Sequence, residues 1–231
     1  MLSFSVQAAT RIWDAEGVKP IDGSPSPRWD NDDNWNTDTE PTVGDTVHLL
    51  PGSLLTSHIH LVLQAVEITS IDCKVRFLLD STLILQAASE FTDAVLPLSE
   101  GAIHASSSVT FKGQNDASKV GMLGTGPYKN QGNLLLKGDS IEGEFVNSSV
   151  TMIISNATLS LWDCKNTASM AIGPGSLLKL VPAGSPGILN SGTISASAGA
   201  ASRIEGSFRQ TAGQIRLDAG SDLAFGAGDQ S

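Results

Sequence analysis

The feature that most constrains this chain is a short recurring unit: a turn residue, a small or polar residue, then alternating apolar positions. It reads Asp80-Ser-Thr-Leu83-Ile-Leu85, Asn156-Ala-Thr-Leu159-Ser-Leu161, Gly175-Ser-Leu-Leu178-Lys-Leu180 and Gly220-Ser-Asp-Leu223-Ala-Phe225. The anchors Leu83, Leu159, Leu178 and Leu223 are separated by close to four, one and two multiples of roughly 19–22 residues, the length of a solenoid rung. Alternation with period two is a strand signal, yet each unit holds too few apolar residues to bury itself. Stacking such units about 4.8 Å apart joins the inward Leu, Ile and Val into columns and pairs each backbone with two neighbours. Small Gly, Ser and Ala residues let the chain turn sharply at corners. The reading is an all-β fold, a right-handed parallel β-helix (solenoid), with helix content near zero.

Thirteen short strands are expected between Thr46 and Phe225, among them Thr82–Leu85, Asn133–Lys137 and Asp222–Phe225, each bounded by Gly, Ser, Asn, Asp or Pro. Residues expected to face inward as ladders are Leu83, Leu85, Leu134, Leu136, Ile154, Leu159, Leu161, Leu178, Leu180, Ile194, Ile215, Leu217 and Leu223. The competing architecture is an antiparallel sandwich, whose strands come at similar intervals and which Asn-Gly or Asp-Gly hairpin turns would favour. The candidate turns instead read Gly-Pro-Gly, Ala-Gly-Ser-Pro-Gly and Ala-Gly-Ser, which fit solenoid corners at least as well.

Charged residues make up 16% of the 231 positions, below the roughly 25% of an average soluble domain. Hydrophobic residues still reach 40%, enough to fold. The formal net charge of −10 repels phosphate backbones, which argues against nucleic-acid binding. No apolar run is long enough to cross a membrane as a helix.

Residues 10–45 have another texture. They hold Trp13, Trp29 and Trp35 and are rich in Asp, Asn and Pro. Tryptophans beside turn-forming Asp and Asn imply a compact, loop-rich N-terminal cap with Trp as its core. Before it, Val6-Gln7-Ala8 fits the small-x-small rule of a signal-peptidase site, with cleavage after Ala8 or Ala9. Residues 1–9 therefore read as the tail of a signal peptide, 10–45 as the cap, and 46–231 as a solenoid cut short at its C-terminal end. Cys73 and Cys164 lie four to five rungs apart, roughly 20 Å at about 4.8 Å per rung, too far for a disulfide. Asn147-Ser-Ser and Asn156-Ala-Thr match the glycosylation sequon, which matters only in a eukaryotic source.

Three N-terminal elements carry a resemblance: Thr10-Arg-Ile-Trp13-Asp14, Asp33-Asn34-Trp35 and Pro41-Thr-Val-Gly44-Asp45-Thr-Val47. With the rung-like stretch from Phe208 to Phe225, they resemble secreted bacterial β-solenoid repeat proteins, the autotransporter-passenger and PEP-CTERM-type beta-strand-repeat proteins. Ile12 before Trp13 departs from that pattern. The resemblance implies an extracellular or cell-surface location and a structural or adhesin role, and it supplies no catalytic residues.

Candidate chemistry is sparse. Asp30, Asp32 and Asn34 copy the first three ligand positions of a calcium loop, but Trp35 and Pro41 occupy positions where that loop needs Gly and Glu. They are the metal candidates, weighed against a solvated turn, and calcium is the only cofactor they would take. His58-Ile-His60 puts two imidazoles on one strand face, and His48 or His104 could complete a zinc site; two surface histidines are the ordinary alternative. Arg203, Arg209 and Arg216 are seven residues apart, which does not match the rung, so they should not stack on one face. No carboxylate pair for glycoside hydrolysis stands out among Glu100, Glu142, Glu144 and Glu205. Phe208, Phe225 and Tyr128 are the candidates for outward aromatics lining a sugar groove. The expectation is a secreted or cell-surface structural or adhesin-type solenoid without catalytic activity. The alternative is an extracellular polysaccharide-binding or polysaccharide-degrading, lyase-like β-helix.

Overall fold

The computed structural model describes residues 9–14, 29, 32–42, 45–49, 58–61, 66–68, 70–73, 76–79, 82–97, 101–137, 140–153, 158–180, 188–204 and 208–225. Among them are twenty-six short strands, one 3-10 turn at Asp32–Asn34, and no α-helix. Every strand-to-strand pairing is parallel, and each strand pairs with the equivalent strand one rung away. That is a parallel β-solenoid, and it excludes the antiparallel sandwich. All thirteen expected strands are present, twelve to within about two residues at either end, whereas the one expected over Thr158–Trp162 runs on to Asn166; as many strands again were not read from the sequence.

Each rung has three faces. The first carries Thr82–Leu85, Ala102–Ala105 and Gly121–Gly124; the second Ser89–Thr92, Val109–Lys112 and Tyr128–Asn130; the third Val95–Pro97, Gln114–Ser118 and Asn133–Lys137. The third face is a nine-stranded sheet. The long strands Ser140–Asn147 and Thr158–Asn166 run without a break from the first face to the second, joining those two faces into one sheet.

The interior is built of columns that follow the register. On the first face Leu83, Ile103, Met122 and Ile141 stack in successive rungs, all fully buried. On the third face Leu96, Ala117, Leu136, Ile153, Ile172 and Ala196 do the same. Of the residues expected inward, Leu83, Leu85, Leu134, Leu136, Leu178 and Ile194 are buried, and Ile215 and Leu223 are half-buried against the core. Leu217 departs from expectation. It continues the column of Ala196 but is 48% exposed, because its strand is at the edge of the described sheet and no described rung covers it. Ile154 lies outside the described residues. Leu159, Leu161 and Leu180 are placed by backbone register alone.

That register also corrects the repeat alignment. Leu159, Leu178 and Leu223 do share one column. Leu83 instead belongs two positions on, in the column of Ile103, Met122, Ile141 and Leu161. A slip of two keeps every side chain on its face, so alternation is blind to it.

The corner between the second and third faces carries Gly113, Gly132, Ser149, Ala168, Gly192 and Gly213, one residue before the paired strands. At Gly213 φ is +74° and a Cβ would strike the Gly192 carbonyl of the preceding rung, so only glycine fits.

The N-terminal segment packs against the strand Thr46–Leu49. Thr10–Ile12 adds a strand to Thr46–Leu49. Trp13, Trp29 and Trp35 are buried in edge-to-face contacts, with centroids 5.3 Å apart for Trp13–Trp35 and 4.9 Å for Trp29–Trp35. Trp35 Nε1 donates to the Trp29 carbonyl at 2.9 Å. Asp45 ties the start of the chain to the first rung: it accepts from Ala9 N at 2.8 Å, Thr42 N at 2.9 Å and Arg11 Nε at 3.0 Å. Burial pushes its carboxyl up, but those hydrogen bonds and the Arg11 charge outweigh it and hold the group below the usual carboxylate range.

Candidate functional surface

The second face presents the most organised chemistry, inside and out. Its second inward column stacks Phe91 and Phe111 and continues, one residue per rung, as Asn130, Asn147, Asn166, Asn190 and Gln210. The four asparagines are fully buried or nearly so. Each Nδ2 donates to the next amide oxygen: 3.0 Å from Asn130 to Asn147, 2.8 Å to Asn166, 2.7 Å to Asn190 and 2.8 Å to Gln210. The same amides tie down the corner, since Asn130 and Asn147 also donate to the carbonyls of Val150 and Ser169 at 2.9 and 3.0 Å. A buried amide must be hydrogen-bonded, and stacking of like rungs supplies the partner. Asn147 is therefore no glycosylation site in the folded chain, because its amide is spent in this ladder; Asn156 lies outside the described residues.

The other inward column of this face holds Val109, Tyr128, Phe145, Cys164 and Phe208, with Ile188 placed between the last two by backbone register alone. Tyr128 and Phe208 were expected to face outward. Both are buried, with the Tyr128 hydroxyl 2.9 and 2.8 Å from the carbonyls of Ile103 and Leu123. The inward parity of their positions decides this. Phe225 is placed by backbone alone. Cys164 is a free, buried thiol, and burial together with the Asp163 charge pushes it up to about 12. Cys73 stands in the column of Phe91, five rungs from that of Cys164, about 24 Å along the axis. That separation forbids a bridge between them.

Outside, the column between these two runs Thr110, Lys129, Val146, Lys165, Leu189 and Arg209. Lys165 and Arg209 are exposed, and Lys129, Val146 and Leu189 are half-buried. Along the adjacent corner Ser148, Thr167, Ser191 and Thr211 follow the amide ladder. The Thr167 hydroxyl donates to the Asn147 carbonyl at 3.0 Å and that of Thr211 to the Asn190 carbonyl at 3.4 Å. On the other side of the column, Glu144 and Asp163 are register partners on neighbouring rungs. Burial, and then the Glu144 charge, push the Asp163 carboxyl above its ordinary value. Its Oδ1 is buried with no hydrogen-bond partner. Reading the sequence missed this pair, whose only signal is a separation of one rung.

The other sequence candidates are dispersed. Asp30 lies outside the described residues. Asp32 opens the 3-10 turn and accepts the Glu40 N–H at 2.8 Å, and Asn34 is buried in the cap. His58 and His60 are on a strand of the third face, whereas His48 and His104 belong to separate strands of the other sheet. Among the described residues no three His, Cys, Asp or Glu side chains gather into a metal-binding group. Arg203, Arg209 and Arg216 fall one on each face, as their spacing required. Glu100 and Glu205 lie outside the described residues. On the third face a shallow hollow of about 450 Å³ is lined by Val95, Leu135, Val150 and Met152, beside an ion pair of Lys137 with Asp116 at 2.6 Å.

Among the described residues no helix is long and apolar enough to cross a membrane. No protein-family model, curated protein or solved structure matches the chain.

Proposed function

We propose that this chain is a non-catalytic β-solenoid displayed outside the cell, a structural or adhesin-type surface rather than an enzyme. The observation that carries this reading is the second face. Its amide ladder and aromatic column fix one register over many rungs, and its outer side offers a regular row of cations, aliphatic groups and hydroxyls. Such a surface suits extended contact with a polymer or another surface. The small-x-small pattern ending at Ala8 supports export: cleavage there would leave the new α-amino group of Ala9 on the buried Asp45 carboxylate.

One observation favours the second reading, a polysaccharide-degrading β-helix. Glu144 and Asp163 form a carboxylate pair with one member raised, the arrangement from which a general acid is made. A single experiment separates the two. The purified chain is incubated with a panel of acidic and neutral polysaccharides, and both retention of polymer and release of new reducing ends or unsaturated uronates are followed. Retention without cleavage is expected. Cleavage abolished by Asp163→Asn would establish the enzyme instead. For location, N-terminal sequencing of the protein recovered outside the producing cell should begin at Ala9 or Thr10; recovery only inside the cell with residues 1–8 attached contradicts export.

A further inference from the structure

We infer that the outer second face binds a linear, sparsely charged anionic polysaccharide laid parallel to the solenoid axis, with one carboxylate per disaccharide. This deepens the surface-binding reading and rests on it only for where the polymer is met. The argument starts from register. Lys129, Val146, Lys165, Leu189 and Arg209 occupy one outward column on successive rungs. Cations therefore recur at every second rung, about 10 Å apart, close to the length of two sugar rings in an extended chain. Val146 and Leu189 lie between them and offer aliphatic surface to the C–H faces of the intervening rings. Thr167, Ser191 and Thr211 run beside the column with their hydroxyl protons turned to the backbone, which leaves oxygen lone pairs to accept from sugar hydroxyls.

Two further observations select this occupant. Three other described cations are held by carboxylates, Lys112 by Glu90 at 2.5 Å, Lys137 by Asp116 at 2.6 Å and Arg11 by Asp45 at 3.0 Å, while Arg216 on the third face donates to the Gln214 amide oxygen and does not belong to a column of cations. Lys129, Lys165 and Arg209 make no ion pair with a described carboxylate, so their charge is available. The net charge of −10 and the neighbouring Glu144 and Asp163 repel a dense polyanion. Duplex DNA carries one charge per about 1.7 Å of axis, far denser than this column of cations. A polymer with one charge per two sugars matches the spacing and escapes most of the repulsion.

The test is titration calorimetry on the full chain at low salt. The ligands are hyaluronate, which has one carboxylate per disaccharide, neutral dextran and single-stranded DNA. Hyaluronate binding that weakens with added salt is expected, with dextran and DNA far weaker. Lys165→Ala should lower hyaluronate affinity about twofold to fivefold, and the triple variant Lys129→Ala/Lys165→Ala/Arg209→Ala roughly tenfold or more. Arg216→Ala, on the third face, should leave it unchanged. The inference is overturned if hyaluronate does not bind, if DNA binds as tightly, or if a triple variant with the native circular dichroism spectrum binds undiminished. Binding accompanied by cleavage would remove the non-catalytic reading and leave this one standing.

Discussion

One inward column of this solenoid is made in two chemistries. Its early rungs stack Phe91 on Phe111, with ring centroids 5.7 Å apart and planes 27° from parallel; its later rungs stack Asn130, Asn147, Asn166, Asn190 and Gln210. Backbone register is the same in both halves. The aromatic half gains from removing apolar area from water, which is strong and tolerant of small shifts. The amide half gains little net free energy per hydrogen bond, but any slip leaves several buried polar groups unpaired. The aromatic half thus contributes bulk stability, and the amide half specifies where each rung sits on the last.

The largest effect should come from the aromatic half. Phe111→Ala deletes a fully buried ring between Phe91 and the first amide, and should lower unfolding free energy by about 4 kcal/mol in denaturant titrations. A loss under about 1 kcal/mol would mean that the column does not carry the core.

Next comes Asn147, in mid-ladder. Asn147→Leu removes the acceptor of Asn130 and Thr151 and the donor to Asn166 and Ser169, and should cost about 3 kcal/mol. The double variant Asn147→Leu/Asn166→Leu should cost less than the sum of its singles by about 1 kcal/mol, because each single leaves the other amide unpaired. Strict additivity would show that the amides do not act as a ladder.

The two halves were not equally legible in the sequence. Alternating leucines such as Leu178-Lys179-Leu180 announce a strand by themselves. Strands such as Gly121–Gly124, Gln114–Ser118 and Tyr128–Asn130 do not, since their extended state is enforced by rungs above and below rather than by local propensity. Asparagine alone reads as a turn former, and only the stacked register reveals Asn130 to Asn190 as interior. The same blindness hid the outer surface. Lys129, Lys165 and Arg209 become a column, and Glu144 and Asp163 a pair, only when the rung length is known locally. The rung length differs from one rung to the next, as the register partners Tyr128 and Phe145, Phe145 and Cys164, and Cys164 and Ile188 show, so no single period finds them all. Tyr128 and Phe208 follow the same rule: the sequence shows two scarce aromatics without their parity, and the stacked register turns both into the core.

A smaller effect tests the aromatic end where it meets the tryptophan cap. Asp45→Asn keeps part of the hydrogen bonding to Ala9 and Thr42 but removes the charge beside Arg11. It should cost about 1–2 kcal/mol. Because the Asp45 carboxyl is held below its ordinary value in the folded state, the wild-type advantage is present above that ordinary value and disappears as pH falls through the folded one. The two proteins should converge in stability in strong acid. A constant gap down to pH 2 would assign the effect to geometry rather than charge.

The smallest effect lies outside the amide half and has the opposite sign. Asp163 sits beside the Cys164 column, next to Glu144, and its carboxyl is raised in the folded state, first by burial and then by the Glu144 charge. A raised carboxyl means that the folded chain holds its proton more tightly than the unfolded chain. Stability from this group is full below the ordinary aspartate value and is lost as pH rises through the folded one. At neutral pH the ionised Asp163 is therefore a small liability, with Oδ1 buried and unpartnered. Asp163→Asn removes the ionisation while keeping the shape, so it should raise the melting temperature slightly at pH 7 and leave it nearly unchanged at pH 3. Glu144→Gln should reproduce part of that rise, because it removes the second cause of the shift and not the first. If Asp163→Asn lowers the melting temperature at pH 7, the carboxylate has a favourable partner on the outer face, and the negative edge that screens out dense polyanions from the Lys129–Arg209 column must be redrawn.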